Sequence, residues 1–317
     1  MEGKMVPEII SLGEALVEIM RQEVGVGFDR PDFFVGPFPS GAPAIFADCA
    51  ARLGAKVGFI GTVGNDDFGK VIFDRLEKDG VDLRYCYIDP HLTTGVAFVA
   101  YFKDGSRKFI YHIGNAASGV IEEERIKEDY FEGVSFLHIN GSALSMNEVW
   151  RKAIYRAVSL ARERGVKISL DPNLRPEILG VDKVRDICRP VVEAASFVFP
   201  SGEEAMMLTG KTTPDEACRF LVESGVEYVV LKRGDKGSTV YMKGRSFEVP
   251  AFKVDEVDPT GAGDCFDAAF LVGMLRGFDL EKCARFANAV GALAVTRKGP
   301  MEGAPFFEDA MSFMERS

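Results

Sequence analysis

The sequence predicts an α/β fold: a mainly parallel central sheet covered by helices on both faces, with a small β-sheet lid set apart from it. Three observations carry this. Apolar runs of strand length alternate with stretches of helical spacing along most of the 317 residues. The strand runs are apolar throughout, as strands covered on both faces must be. Two regions, 15–37 and 93–112, break the rhythm with glycines, prolines and a hairpin signal.

The elements follow in order. EIISLGE (8–14) reads as the first strand, and residues 42–53 have helical spacing that stops at Gly54. KVGFIGTVG (56–64) is an apolar strand. DDFGKVIFDRLEKDG (66–80) is an amphipathic helix, with Phe68, Ile72 and Leu76 on one face and Gly80 past its end. VSFLHIN (134–140), VKISLD (166–171), SFVFP (196–200) and EYVVLK (227–232) read as further buried strands, separated by helices near 146–164, 182–194 and 214–224. After a hairpin at 238–250, a helix runs from Asp264 to Gly277, another spans 278–299, and FFEDAMSFMERS makes the last. The irregular regions carry Gly25, Gly27, Pro31, Gly36 and Pro37 in one case and an Asp104-Gly105 turn in the other. The expected division is an α/β ligand-binding core of 1–14, 38–92 and 113–317 with a lid of 15–37 and 93–112. The alternative is an ordinary edge extension of the main sheet.

Composition narrows the function. At 47% hydrophobic and 27% charged, the chain can bury a sizeable core. A net charge of −10 argues against a nucleic-acid or anionic-membrane partner. The N-terminus has no long apolar stretch, and no run has the length to span a bilayer. Six scattered cysteines without a C-x-x-C pair point to a reduced, cytoplasmic protein. Three histidines far apart leave little material for a zinc site or a Ser-His-Asp triad.

Two glycine-bearing motifs compete for a phosphate. 64-GNDDFGKV-71 fits all but the last position of G-x-x-x-x-G-K-[ST], in the right strand-to-helix context. Val71 cannot ligate Mg²⁺, and Asp66 and Asp67 would sit where phosphates belong, so it is not read as a P-loop. In 257-VDPTGAGDCF-266, the amides of Gly261, Ala262 and Gly263 precede a helix and converge with its dipole on one spot. Asp264 would repel a static phosphate there. It makes sense if a hydroxyl lies between it and the phosphorus, with the acid taking the proton while the amides hold charge. On the residues alone, a helix cap after a tight turn explains the stretch equally well.

VDPTGAGDCF resembles the C-terminal signature of the PfkB carbohydrate kinases (ribokinase-like sugar kinases), usually D-T-T-G-A-G-D-x-F. The likeness covers the whole chain. 40-SGAPAIFADCAARLG-54 resembles the N-terminal signature and 61-GTVGNDDFG-69 the V-G-x-D-x-F-G turn. 171-DPNLR-175 resembles D-x-N-x-R, 200-PSGEEA-205 the N-x-x-E region, and 232-KRGDKG-237 the glycine turn beside the nucleotide phosphates. The resemblance implies a ribokinase-like fold and ATP- and Mg²⁺-dependent phosphorylation of a sugar. It implies Asp264 as general base and Gly261, Ala262 and Gly263 as the anion hole. It places Lys232, Gly234, Gly237, Thr260, Asn288 and Gly299 along the nucleotide, and Glu204 on Mg²⁺ through water. Glu18, Gly41, His112, Asn173 and Arg175 would border the sugar, and two copies would pair through their lids.

Departures from the pattern bear on the substrate. Glu18 stands where relatives often carry Asp, Ile45 and Ser201 where they carry Asn, and His112 where sugar-acid kinases carry an Arg for the carboxylate. Asp48, one turn past Ile45, either replaces the lost Asn or is a surface acid; the surface reading is preferred. Arg107 and Arg175 remain as anion partners. The expected acceptor is a ketohexose such as fructose or tagatose. A 2-keto-3-deoxygluconate kinase comes next, then a nucleoside kinase, and from another class a sugar- or nucleotide-binding regulator without catalysis.

Overall fold

The computed structural model describes residues 5–174 and 179–316. Along the chain, the first strands and helices are β1 (Ile9–Leu12), β2 (Leu16–Arg21), β3 (Phe34–Ser40), α1 (Ala42–Arg52), β4 (Val57–Gly64), α2 (Asp67–Lys78), β5 (Asp82–Asp89), β6 (Gly95–Tyr101) and β7 (Arg107–His112). Further strands are β8 (Phe136–Asn140), β9 (Lys167–Asp171), β10 (Phe197–Val198), β11 (Tyr228–Lys232), β12 (Ser238–Met242) and β13 (Arg245–Val249). Nine strands form one sheet in the order β13-β12-β11-β10-β9-β8-β1-β4-β5. It is parallel from β11 to β5, and β12 and β13 add an antiparallel hairpin at one edge. Four strands form a second, separate sheet, β3-β2-β6-β7.

Strand alternation splits the core into two layers. Ile9 belongs to the layer built with α1 and the helices Ala262–Leu275 and Leu280–Ala294, while Ile10 belongs to the layer built with Glu148–Glu163 and Val181–Val192. Both faces of the sheet are thus covered, which is why the inner strands are apolar without a break. Because β1, β8, β9 and β11 run parallel, the residues at or just past their carboxyl ends, Glu14, Asn140, Asp171 and Lys232, come to one edge. Such an edge is where open α/β sheets bind ligands.

Three boundaries differ from the sequence reading. β5 was not expected: it closes the sheet's edge, Asp82, Arg84 and Asp89 break up its apolar residues, and only Asp82 and Cys86 are buried. β3 carries on through Ser40, past the expected lid boundary at 37, because an edge strand tolerates Pro37 and Pro39. The helix expected over 278–299 ends at Ala294, and the chain turns toward Gly299 (φ 113) and Pro300.

Candidate active site

The opening of the helix Ala262–Leu275 decides the site. Gly261 sits at φ 80 as its N-cap, and no side chain caps the helix. A Cβ on Gly261 would lie 2.4 Å from the Pro300 carbonyl oxygen and 3.1 Å from Ile45 Cγ2. Only glycine fits this conformation and this closeness, and Ile45 fills the space behind the loop with methyl groups. Asp264, in the first turn, is 7% exposed, and its Oδ1 accepts a hydrogen bond from Asn140 Nδ2 at 3.1 Å.

Beside the loop, Lys232 Nζ lies 3.0 Å from Asp171 Oδ2 and 3.2 Å from Asp267 Oδ2. Burial alone would lower the Lys232 pKa, but Asp171, Asp267 and Glu204 outweigh it and hold the ammonium charged. Glu204 and Ser201 form a capping box on the helix Gly202–Thr209. Glu204 accepts from the Ser201 amide at 2.8 Å and from the Leu174 amide at 3.2 Å. Burial, then the nearby Asp171, push its carboxyl upward against Lys232. Ser201, unusual for its position, is therefore a working helix cap.

Two cavities meet at this point. One, of about 360 Å³, is lined by Glu14, Glu18, Gly41, Asn173 and Asp264, and by Arg107, Phe109 and Tyr111 from the small sheet. The other, of about 550 Å³, is lined by Gly234, Gly237, Phe252, Asn288, Ala292 and Val295. Lys232, Pro259 and Gly263 line both. The helix N-terminus therefore stands where the cavities join. Glu18 is buried and accepts from Ser40 Oγ at 2.7 Å. The small sheet also grips the loop. The Tyr101 hydroxyl donates to Asp258 Oδ1 at 2.6 Å and hydrogen-bonds Thr260 Oγ1. Asp258 further accepts from the amides of Thr260 at 3.0 Å and Gly299 at 2.9 Å.

Most of the expected site residues come together. Asp264, Gly261, Gly263, Glu18, Gly41, Asn173 and Glu204 line the first cavity, and Ala262, Gly234, Gly237 and Asn288 the second. Asn288 also donates to the carbonyls of Val249 and Pro250. Thr260, expected along the nucleotide, lies instead in the first cavity beside Tyr101. Gly299 lies behind the loop, bonded to Asp258, and lines neither cavity. His112 does not join the site. Strand alternation turns Arg107, Phe109 and Tyr111 into the cavity and His112 to the opposite face, edge-on to Phe98. Arg175 lies outside the described residues. Asp48 is no surface acid: it is fully buried, and Arg75 donates to its oxygens at 2.9 and 2.8 Å. Burial pushes the Asp48 carboxyl up to about 8, against that pairing.

Sequence reasoning missed Glu14, Tyr101, Phe109, Tyr111 and Asn140. The period-2 pattern of β7 was the one available signal, since it pairs Phe109 and Tyr111 with Arg107 rather than with His112.

A helix N-terminus and an acid, set where a polar cavity meets a larger one beside a glycine turn, define a kinase of small molecules on a ribokinase-like α/β fold. The chain belongs to the PfkB family: the model for "pfkB family carbohydrate kinase" matches residues 8–306. It is 30% identical to fructokinase-2 of Oryza sativa subsp. japonica over 318 residues, 98% of this chain and 94% of that one. An E. coli protein provisionally named ribokinase II, solved with ATP and Mg²⁺, superposes with a TM-score of 0.93 at 41% identity, covering 98% of this chain and all of that one. The fructokinase of Vibrio cholerae O395, solved with fructose, ADP and a calcium ion, gives 0.83 at 26% identity, covering 98% and 99%.

Proposed function

We propose that the protein transfers the γ-phosphate of ATP to a hydroxyl of a ketohexose, fructose first among the candidates. The observation that carries this is the junction of the two cavities at Gly263 and Lys232, with Asp264 on the polar side. The acceptor occupies the polar cavity and ATP the larger one, so the phosphorus crosses at the helix N-terminus. Asp264 takes the hydroxyl proton as the oxygen attacks in line, and ADP leaves. The Gly261–Gly263 amides and the charged Lys232 hold the negative charge on the transferring group.

Mg²⁺ fits this site. Among the described residues no cluster of three or more His, Cys, Asp or Glu side chains forms a metal cage. Mg²⁺ is commonly held by one or two carboxylates plus substrate phosphates. Glu204, whose carboxyl is pushed upward by burial and then by the nearby Asp171, lines the polar cavity and would hold the ion through water. Bound there, Mg²⁺ neutralises charge on the phosphates.

A neutral sugar suits the polar cavity better than a sugar acid. Glu14, Glu18, Asp171 and Asp264 line it, and carboxylates accept hydrogen bonds from hydroxyls but repel an anion. Lys232 is engaged by Asp171 and Asp267, which among the described residues lining this cavity leaves Arg107 as the cation on the lid side. The small sheet, including all of β3, acts as a lid that closes over the sugar and excludes water. Its exposed Phe33 and Phe34 suit pairing with a second copy. No helix among the described residues is long and apolar enough to cross a membrane.

The test is ADP release, measured by a coupled assay over fructose, tagatose, 2-keto-3-deoxygluconate and nucleosides. Fructose or tagatose should give the highest kcat/KM. A preference for the sugar acid would overturn the substrate reading, and no turnover with any acceptor would overturn the kinase reading.

A further inference from the structure

Asn140 is the last residue of β8 and is fully buried. It lines neither cavity, yet its Nδ2 reaches Asp264 Oδ1 at 3.1 Å. Its strand is held on both sides, by β1 and by β9, where Asn140 pairs with Asp171. Two residues earlier, His138 stacks on Phe46 with ring centroids 3.7 Å apart and meets Ser169 Oγ through Nδ1. Burial takes the His138 pKa down to about 3, so the ring beside Asn140 is neutral. An ionised carboxylate only accepts hydrogen bonds, so the amide nitrogen must be the atom facing Asp264.

We infer that Asn140 is a positioning residue for Asp264: its carboxamide N–H holds one carboxylate oxygen from a rigid strand end and sets the plane in which the acid meets the acceptor hydroxyl. The inference rests on the general-base reading of Asp264. A neutral donor suits the task. It orients the carboxylate and favours its ionised form without cancelling its charge, as an Arg or Lys in this place would. Charged and titratable groups around Asp264 include Asp267 and Cys265 on its own helix, Asp171 from β9, Lys232 from β11, Glu204 from the helix Gly202–Thr209, and Glu14, Glu18, Arg107 and Tyr111 lining the same cavity.

The test is the pH profile of kcat in Asn140→Ala, Asn140→Asp and Asn140→Ser, with ATP affinity as the check on folding. Losing the donor disfavours the carboxylate, so the acid limb should move up by about one pH unit in Asn140→Ala. Asn140→Asp, which keeps the shape but adds negative charge, should move it further, and Asn140→Ser, which keeps a donor, should move it least. A residue that only fills space would cost thermal stability and leave the limb in place. An unmoved limb in the Ala or Asp variant, with ATP affinity retained, overturns the inference. Asp264→Asn separates this from failure of the base reading. If that variant keeps turnover, the base reading falls; if it is inactive while the Asn140 limbs stay put, only the role of Asn140 falls.

Discussion

Two of the chain's glycine-bearing turns that enter a helix beside an acid behave oppositely. At 64–70, Asp66 is the N-cap of α2: it accepts from the Gly69 amide at 2.8 Å and from the Thr94 amide and hydroxyl, each at 2.7 Å. Gly69 is needed because a Cβ there would lie 2.1 Å from the Gly64 carbonyl oxygen. Lys70 turns away to Asp74 of the same helix, at 2.6 Å. Everything there serves packing. At 260–264, no side chain caps the helix, and the acid bonds across to Asn140 and faces a cavity. An acid that satisfies its own helix is a cap. An acid in the first turn of a glycine-capped helix that bonds to another strand's end and lines a cavity is a candidate for chemistry.

Substitutions at the two turns should separate just as cleanly. Gly261→Ala breaks the second turn, since the new methyl meets Pro300 at a φ of 80. Its kcat should fall by roughly 100-fold or more, the scale of losing an anion-hole donor. Steady-state kinetics with saturating ATP checks this. The smaller effect belongs to Asp66→Ala, which should keep turnover within about threefold while losing roughly 1–2 kcal/mol of stability to urea, as lost caps do. Its pH dependence follows from the Asp66 carboxyl. Slight burial acts to raise that pKa, but the Thr94 and Gly69 hydrogen bonds outweigh it and hold it below the usual range. A depressed pKa stabilises the fold above the unfolded-state value, about 4, and the contribution is lost as pH falls through the folded value. The acid side of the stability curve should therefore be flatter in Asp66→Ala than in the parent.

The main sheet was legible because nearly every inner strand is apolar on both faces, and the anion loop because its side chains are almost absent. What stayed hidden had weaker local signals. β5 is half-buried at an edge, and its Asp82, Arg84 and Asp89 weaken the apolar signal of a strand. His112 looked like a sugar ligand from its place in a resembling motif, but register along β7 decides which residues face the cavity, and it favours Tyr111. Asp48 is an acid one turn past Ile45; only the fold brings Arg75 of α2 onto it. Asn140 is a lone polar residue at a strand end, and its meaning depends on a helix that begins 122 residues later at Ala262.

The central claim is that Asp264 is a base and not a cap. Asp264→Asn tests it most directly, measured for ATP affinity and for sugar-dependent ADP release in the same preparation. ATP affinity should stay within about threefold while turnover falls by roughly a thousandfold or more, because the amide keeps the shape but cannot take the proton. Near-normal turnover in a folded variant would contradict the account.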